Sequence, residues 1–536
     1  MSRPHPTPLS SLGDARLDVL VVGAGITGAC IALDAAQRGL RVGLVDRGDF
    51  GGGATANCLR IVHGGLRYLQ HFDVRRSRES ILERSIWLRS APHLVEPLPV
   101  VVPTHRRRFP PRWMLGGALA INEALSIDRN DELETDRRIP RSRLLSKEDC
   151  RTMVPSLDQA DLTGGILFYD AIMYSPERLT LEVVQAAQSA GAVTANYVAF
   201  DGIDSVDADG HRVRVRDMLS GQTTDLQTRW IVNAAGANVG DVMRRIAGGK
   251  SSSELRFSLA MNFVTNHPAS GPAFTVSGGL ADSDRVGGAG ARQLFVVPWR
   301  GQRLIGTAHL PFTGEIASAA LKNENVELFL AELRGAWPPL GITARDIRHV
   351  QWGLLPDAER ADGHRMRLLK QHRLIDHAAE GIAQAITVVS VKFTTARRVA
   401  EDVVDHVTGA VRSNASALKT LPLPGRPTPG VDADTGGTQT RPDQRLATSV
   451  TTHIARAYGA RYSAVVSLSD RIDGGDRCVS AEAPVTFGQL VYSARNEMVH
   501  TVDDLLWRRT ELGARGLVTP AVRDEAQRAL DLATTL

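Results

Sequence analysis

Cysteine is scarce. The 536 residues hold four, Cys30, Cys58, Cys150 and Cys478, far apart and in no C-x-x-C or other metal-ligand spacing. That pattern argues against a disulfide framework, a metal site and a redox dithiol, and it sets a reduced cytosolic environment as the expectation. Aromatic residues make up only 5%, while glycine alone contributes 49 positions, a balance that suits close packing of helices on strands. Charge of one sign is not in excess: 63 basic against 59 acidic residues leave +4, so nothing in the whole-chain charge points to nucleic acid. No run of about 18 apolar residues is present, so no bilayer-spanning helix is expected. The opening MSRPHPTPLSSLGDAR has no apolar core and does not read as a secretory signal.

What is present begins with DVLVVGAGITGACIALDAAQRGLRVGLVDRG, which reads as strand, glycine turn, small-residue helix and second strand, a βαβ unit. Gly23 permits the tight turn, Gly25 lets a pyrophosphate approach the backbone, and Gly28 lets helix and strand pack closely. The helix start offers unbonded N–H groups and the positive end of a dipole. Asp46 ends the second strand, placed to accept the hydroxyls of an adenosine ribose. Two late segments separate FAD from NAD as the expected dinucleotide. WIVNAAGANVGDV runs a strand into Ala235 and Gly236, and VSVKFTTARR runs another into Lys392 and a helix start near Thr394. A helix dipole and a cation there suit the flavin edge that gathers negative charge on reduction.

A second feature is GATANCLRIVHGGLRYL, with Gly64 and Gly65 directly before Leu66, Arg67 and Tyr68. Paired glycines let a backbone approach something flat and close. Elsewhere the chain alternates helical and strand patterns. Helices are expected over 76–92 and 176–191, antiparallel strands over 255–310, a Pro/Gly/Thr-rich linker over 421–444, and helices after it.

These segments together resemble the FAD-dependent glycerol-3-phosphate dehydrogenase family. The fingerprint, VHGGLRYL, YDAIMYSPERLTLEVVQAA, NAAGANVGD, FVVPWRGQRLIGTAH, VKFTTARRVAE and DDLLWRRTELG occur in the family's order from about residue 17 to 515. The resemblance implies an α/β fold: a doubly wound FAD-binding domain, an antiparallel-sheet substrate cap and a C-terminal helical domain. The expected boundaries are a disordered tail over 1–16; an FAD domain of 17–75, 176–250 and 375–415; a cap of 76–175 and 251–374; a linker over 416–444; and a helical domain over 445–536. It places FAD along Gly23, Ala24, Gly25, Ile26, Thr27, Gly28, Asp46, Arg47, Thr55, Asn57, His63, Gly64, Gly65, Leu66, Val198, Ala235, Gly236, Lys392, Phe393 and Thr394. It implies oxidation of the secondary alcohol of sn-glycerol 3-phosphate or a related polyol, with a hydride passing to flavin N5 and electrons to quinone. Arg67, Tyr68 and Lys392 are the expected substrate-side groups.

The substrate side departs from the family pattern. Leu355 stands in WGLLP where the family carries a phosphate-binding arginine, Lys370 lines up with a second one, and Leu259 and Asn262 replace a lysine and a histidine. His309, in GTAH, becomes the candidate base because imidazole titrates near neutrality. A related flavin oxidase of the amine and amino-acid oxidase superfamily, or a flavin-binding protein without catalysis, stays open as an alternative. Residues 104–125, THRRRFPPRWMLGGALAINEAL, set basic residues beside a Trp-bearing apolar stretch, which suits an anionic bilayer surface. The expected location is the cytoplasm, held peripherally on the inner face of the membrane. A homodimer is compatible with this reading.

Overall fold

The computed structural model describes residues 12, 16–66, 68, 73–106, 112–157, 161–207, 209–249, 255–281, 291–312, 314–316, 319–356, 369, 371–409, 421–426 and 446–536. The first strand, β1 (Arg16–Val22), is RLDVLVV, whose apolar run is Val19–Val22. Buried on both faces, it pairs in parallel with β2 (Val42–Val45) on one side and β10 (Thr223–Asn233) on the other. β7 (Val193–Ala195) extends the sheet beyond β2, and β17 (Ala385–Val389) beyond β10, both in parallel. β16 (Arg373–Asp376) caps one edge antiparallel to β17, and a meander of β8 (Val198–Asp207) and β9 (Gly210–Asp217) folds onto β10. All-parallel central strands need both faces covered. Helices α1 (Ile26–Gln37), α5 (Pro176–Ser189) and α8 (Ala396–Thr408) cover the face of Val19 and Val21, and the β8–β9 meander with α6 (Val239–Ile246) covers the face of Leu20 and Val22. The Ala and Cys side chains of α1 are buried and small, so the three helices pack closely. Order starts earlier than expected: Leu12, inside the supposed tail, is fully buried under the sheet, and β1 opens at Arg16.

The second sheet is the cap. Its order is β15 (Ile347–Pro356), β11 (Phe257–Thr265), β14 (Gln302–Phe312), β13 (Ala291–Trp299), β12 (Ala273–Ala281), β4 (Val95–His105), β6 (Leu162–Met173) and β3 (Ile61–Val62), with β5 (Arg143–Leu145) alongside β6. β3 belongs to this sheet although its sequence lies within the stretch assigned to the FAD domain. The connection from the fingerprint unit crosses into the cap through two paired residues. Helices α2 (Val74–Ser90), α3 (Arg112–Leu125), α4 (Lys147–Met153), α6 (Val239–Ile246) and α7 (Asn323–Ala336) surround the two sheets. The remaining chain holds α9 (Thr448–Tyr458), α10 (Tyr462–Ser469), the pair β18 (Cys478–Ser480) and β19 (Ala483–Thr486), α11 (Phe487–Asn496), α12 (Val502–Asp504) and α13 (Pro520–Ala533). The start of the expected linker is docked instead of free: Leu421 and Leu423 are buried, and the Leu421 N–H donates to Ser90 Oγ.

Candidate active site

The glycine turn is built as its residues require. Gly23 has φ +103°, which excludes a side chain, and a Cβ there would meet the Ala234–Ala235 backbone. A Cβ on Gly28 would overlap the Gly23 carbonyl, and one on Gly25 would crowd Thr55 Oγ1 at 3.1 Å. The first turn of α1 has N–H groups without helical acceptors. Two neighbouring donors already have protein partners: Ala24 N–H donates to Asp46 Oδ2 at 2.7 Å and Ile26 N–H to Thr55 Oγ1 at 3.2 Å. Thr27 follows Ile26 in that turn. A dinucleotide's pyrophosphate fits this cradle, because Gly23, Gly25 and Gly28 keep the turn free of side chains of its own at those positions.

Asp46 sits at the end of β2 and also accepts from Gly48 N–H at 2.9 Å. Burial pushes its carboxyl up to about 6, against the pull of those two N–H groups. Val198 N–H donates to the Asp46 carbonyl at 2.7 Å, so the Val198 backbone lies beside that acid. Ala235 and Gly236 abut the glycine turn from β10, with Gly236 at φ +59°. Arg47 is exposed next to this end. Asn57 turns back on its own loop, donating from Nδ2 to the Gly53 carbonyl at 2.8 Å.

The paired glycines have neighbours that sequence alone did not reveal. Gly64 N–H donates to Asp170 Oδ1 at 2.6 Å, and His63 Nδ1 lies 3.2 Å from Asp170 Oδ2. A Cβ on Gly64 would overlap the buried guanidinium of Arg84, which also lies against Asp170. Gly65 has φ +80°, and a Cβ there would press on Tyr68 and on Ser77 and Ser80 of α2. The protein's own packing thus demands both glycines. Burial alone would raise the Asp170 carboxyl; His63, Arg84 and the Gly64 N–H together hold it below the ordinary carboxylate range. Asp170 lies in the quoted YDAIMY segment, yet no spacing marked it as the anchor of a loop 106 positions earlier.

The same loop is stitched to the late strand–helix junction. His63 N–H donates to Thr394 Oγ1 at 3.1 Å, and Trp87 Nε1 donates to the Thr394 carbonyl at 2.9 Å. Phe393 packs on Trp87 with ring centroids 5.8 Å apart. Lys392 Nζ stands 4.4 Å from the centroid of the Tyr68 ring. Thus His63 meets Thr394 and Tyr68 meets Lys392, more than 300 residues away in sequence. Arg67 and Lys370 lie outside the described residues.

The cap brings its own residues to this loop. Asn262 Nδ2 donates to the Asn57 carbonyl at 3.1 Å, and its Oδ1 accepts from Thr307 Oγ1 at 2.8 Å. Alternation along β14 sets His309 on the face of Thr307, opposite Ala260 of β11, so the imidazole shares the cap face that carries Asn262. Leu259 points the other way, into the cap core. On β15, a Cβ on Gly353 would lie 3.5 Å from Ala54 Cα, and Leu355 follows two residues on, half-buried.

Residues 18–405 match the family described as FAD dependent oxidoreductase, and residues 417–534 match the C-terminal domain of alpha-glycerophosphate oxidase. The glycerol-3-phosphate dehydrogenase of Synechocystis sp. is 30% identical over 521 residues, covering 92% of this chain and 88% of that one. The aerobic glycerol-3-phosphate dehydrogenase of Staphylococcus aureus is 26% identical over 513 residues, covering 93% and 87%. The crystal structure of a Bacillus halodurans glycerol-3-phosphate dehydrogenase complexed with FAD superposes with a TM-score of 0.69 at 22% identity, covering 98% of this chain and 96% of that one. The glycine cradle, the stitched loop and similarity over 92% of the chain lead to one conclusion: the chain belongs to the FAD dependent oxidoreductase family, in its glycerol-3-phosphate dehydrogenase group, and is an enzyme whose cofactor is FAD.

Proposed function

We propose that the enzyme oxidises the secondary alcohol of sn-glycerol 3-phosphate, or of a closely related polyol phosphate, and passes the electrons to quinone. The observation that carries this reading is the 30% identity to a glycerol-3-phosphate dehydrogenase across 92% of the chain. FAD supplies a two-electron acceptor that takes the carbon-bound hydrogen as hydride. Lys392 stabilises charge on the alcohol oxygen as its proton leaves, and Tyr68, held against Lys392, orients the substrate. Arg67, and Lys370 in the phosphate-side position, add cations. His309, on the cap face opposite, takes the hydroxyl proton. The chain divides its labour as its sequence suggests, with an FAD part (17–75, 176–250 and 375–415), a cap (76–175 and 251–374), a linker (416–444) and a helical domain (445–536). Turnover of sn-glycerol 3-phosphate with a short-chain quinone, giving one dihydroxyacetone phosphate per quinone reduced, tests the proposal; reduction driven only by amines or amino acids removes it.

The match of residues 417–534 to an oxidase C-terminal domain favours a second reading of the acceptor, with oxygen in place of quinone. Peroxide released in step with substrate consumption, at undiminished rate without quinone, decides for it.

The enzyme also docks on the inner face of the cytoplasmic membrane through residues 104–125, and works there as a homodimer. Among the described residues, no helix is long and apolar enough to cross a membrane. Ile121 of α3 is 46% exposed, and Leu144, which lies against Gly116 of the same helix, is 43% exposed. Ile127, just after α3, is 88% exposed, so apolar side chains cluster on the outside of a helix preceded by arginines. Sedimentation with anionic liposomes is expected to carry the protein down, and Ile121→Asp with Ile127→Asp to leave it in the supernatant. Equal sedimentation of both proteins contradicts the docking surface.

A further inference from the structure

We infer that Arg76, in the first turn of α2, is a specificity-determining residue of this site, holding the acidic end of the substrate where β15 offers Leu355 in place of a cation. The inference rests on the proposed reading that the substrate is a polyol with an anionic group.

A cavity opens between the start of α2, the segment Gln371–His372 and the junction of β17 with α8. Its cations are Arg75, Arg76, His372, Lys392 and Arg398, against the carboxylates of Glu79 and Asp402. Two of these cations are already engaged. Arg398 donates to Glu401 at 2.8 Å and to Asp402 at 2.5 Å, and His372 Nε2 lies 3.3 Å from Asp402. Arg75 is exposed to solvent.

Arg76 and Lys392 differ from the rest because both lie against one ring. The Arg76 guanidinium carbon is 3.9 Å from the Tyr68 centroid, and Lys392 Nζ is 4.4 Å from it. Two cations on one aromatic side chain repel each other, and an anion in the cavity that both line offsets that repulsion. Lys392 makes no ion pair with a carboxylate among the described residues. The Arg76 side chain is only 11% exposed, and its one described carboxylate partner is Asp73, at 3.5 Å on the same turn. Arg76 Nε is buried with no hydrogen-bond acceptor. That Nε is closed to the cavity, so an anion there would meet Arg76 at its terminal N–H groups, whose described carboxylate is Asp73 alone. A phosphate or carboxylate in the cavity that Arg76 and Lys392 both line would be held by the two cations, beside the Tyr68 that orients the rest of the molecule. The arginine lost from β15 is then replaced from a different element of the fold.

The test is a titration of the purified holoenzyme with inorganic phosphate, followed by calorimetry and by the perturbation of the flavin spectrum. Saturable binding is expected in the wild type. Arg76→Leu should weaken it about ten- to a hundredfold, the range for losing one charge-assisted hydrogen bond, and Arg76→Lys should recover part of the loss. FAD content and unfolding midpoint serve as controls for folding. In turnover the KM of the phosphorylated substrate should rise by a similar factor, more than kcat falls. Phosphate affinity unchanged in Arg76→Leu, or no saturable phosphate binding in the wild type, overturns the inference. Failure of any polyol phosphate to reduce the flavin removes the functional reading instead, and the phosphate titration still reports on Arg76 by itself.

Discussion

Lys392→Met is expected to slow anaerobic flavin reduction by the true substrate about a hundred- to a thousandfold, the loss typical of one preorganised electrostatic donor. The side chain stands where β17 gives way to the start of α8, so ammonium and helix end present positive charge together. Loss of the hydroxyl proton puts negative charge on the alcohol oxygen, and that charge drives the hydride off carbon as the carbonyl forms; a bound flavin would gather negative charge on its pyrimidine edge on accepting it. One cation in reach of both favours the transition state over the ground state. Methionine keeps most of the stem's bulk against Tyr68, so the ring should stay in place. FAD content should also hold, because the Gly23–Gly28 cradle and Asp46 are built from other elements. Stopped-flow absorbance at saturating substrate is the measurement. A rate within about fivefold of the wild type means that Lys392 has no part in the chemistry.

The largest expected effect on stability comes from the joint between the FAD part and the C-terminal helices. Arg178 of α5 makes a two-pronged ion pair with Glu497, at 2.9 and 3.1 Å, and both side chains are buried. Its guanidinium also stacks on Tyr458 at 3.9 Å. Beside it, Arg509 makes a second such pair with Asp49, at 2.6 and 2.9 Å. Arg178→Met leaves Glu497 buried without its main partner and should cost about 3–5 kcal/mol, while Arg178→Met with Glu497→Leu should recover most of it. The pH dependence has a definite sign. Burial raises the Glu497 carboxyl, but Arg178 more than reverses this and brings it down to about 2. Glu511, buried beside Arg300, is likewise held down to about 2. Carboxyls depressed in the fold stabilise it fully above their ordinary value near 4.5, and that contribution disappears as pH falls from there towards 2. Asp46, raised to about 6, works in the opposite direction and softens the loss between about 6 and its ordinary value. Denaturant unfolding of the holoenzyme at successively lower pH should therefore show a steep fall below about 4.5 that flattens in the double variant. A double variant as weak as Arg178→Met alone contradicts the pairing argument.

Local pattern made the βαβ unit readable. VLVV is a buried strand because it is apolar throughout, and ITGACIALDAAQ is a helix small enough to lie between α5 and α8. Gly23 and Gly28 are readable because a Cβ on either would collide with the adjoining strand's end or the same turn, whereas the neighbour of Gly25, Thr55, comes from a later loop. The resemblance carried Tyr68 and Lys392, and the structure brings them together. What sequence did not disclose is pairing at long range. Glu497 is 319 positions from Arg178, and Asp49 is 460 from Arg509; nothing in periodicity links a carboxylate to a guanidinium across such distances. The reason for Gly64 was hidden for the same cause, since Arg84 fills its space only once α2 has folded back on β6. Arg76 was read as the edge of a helix; the Tyr68 ring above which it lies comes from the preceding loop. Leu12 shows the converse, a lone apolar residue in a polar tail whose burial only the finished sheet could reveal.

The central claim is that this cleft holds FAD against a secondary alcohol beside Tyr68 and Lys392. Anaerobic mixing of the yellow holoenzyme with sn-glycerol 3-phosphate, unlabelled and deuterated at C2, tests it most directly. The account predicts saturable bleaching of the flavin band, slowed severalfold by deuterium, with dihydroxyacetone phosphate formed. A purified protein that binds no FAD, or a bound flavin that stays yellow with this alcohol yet bleaches with amino acids, contradicts it.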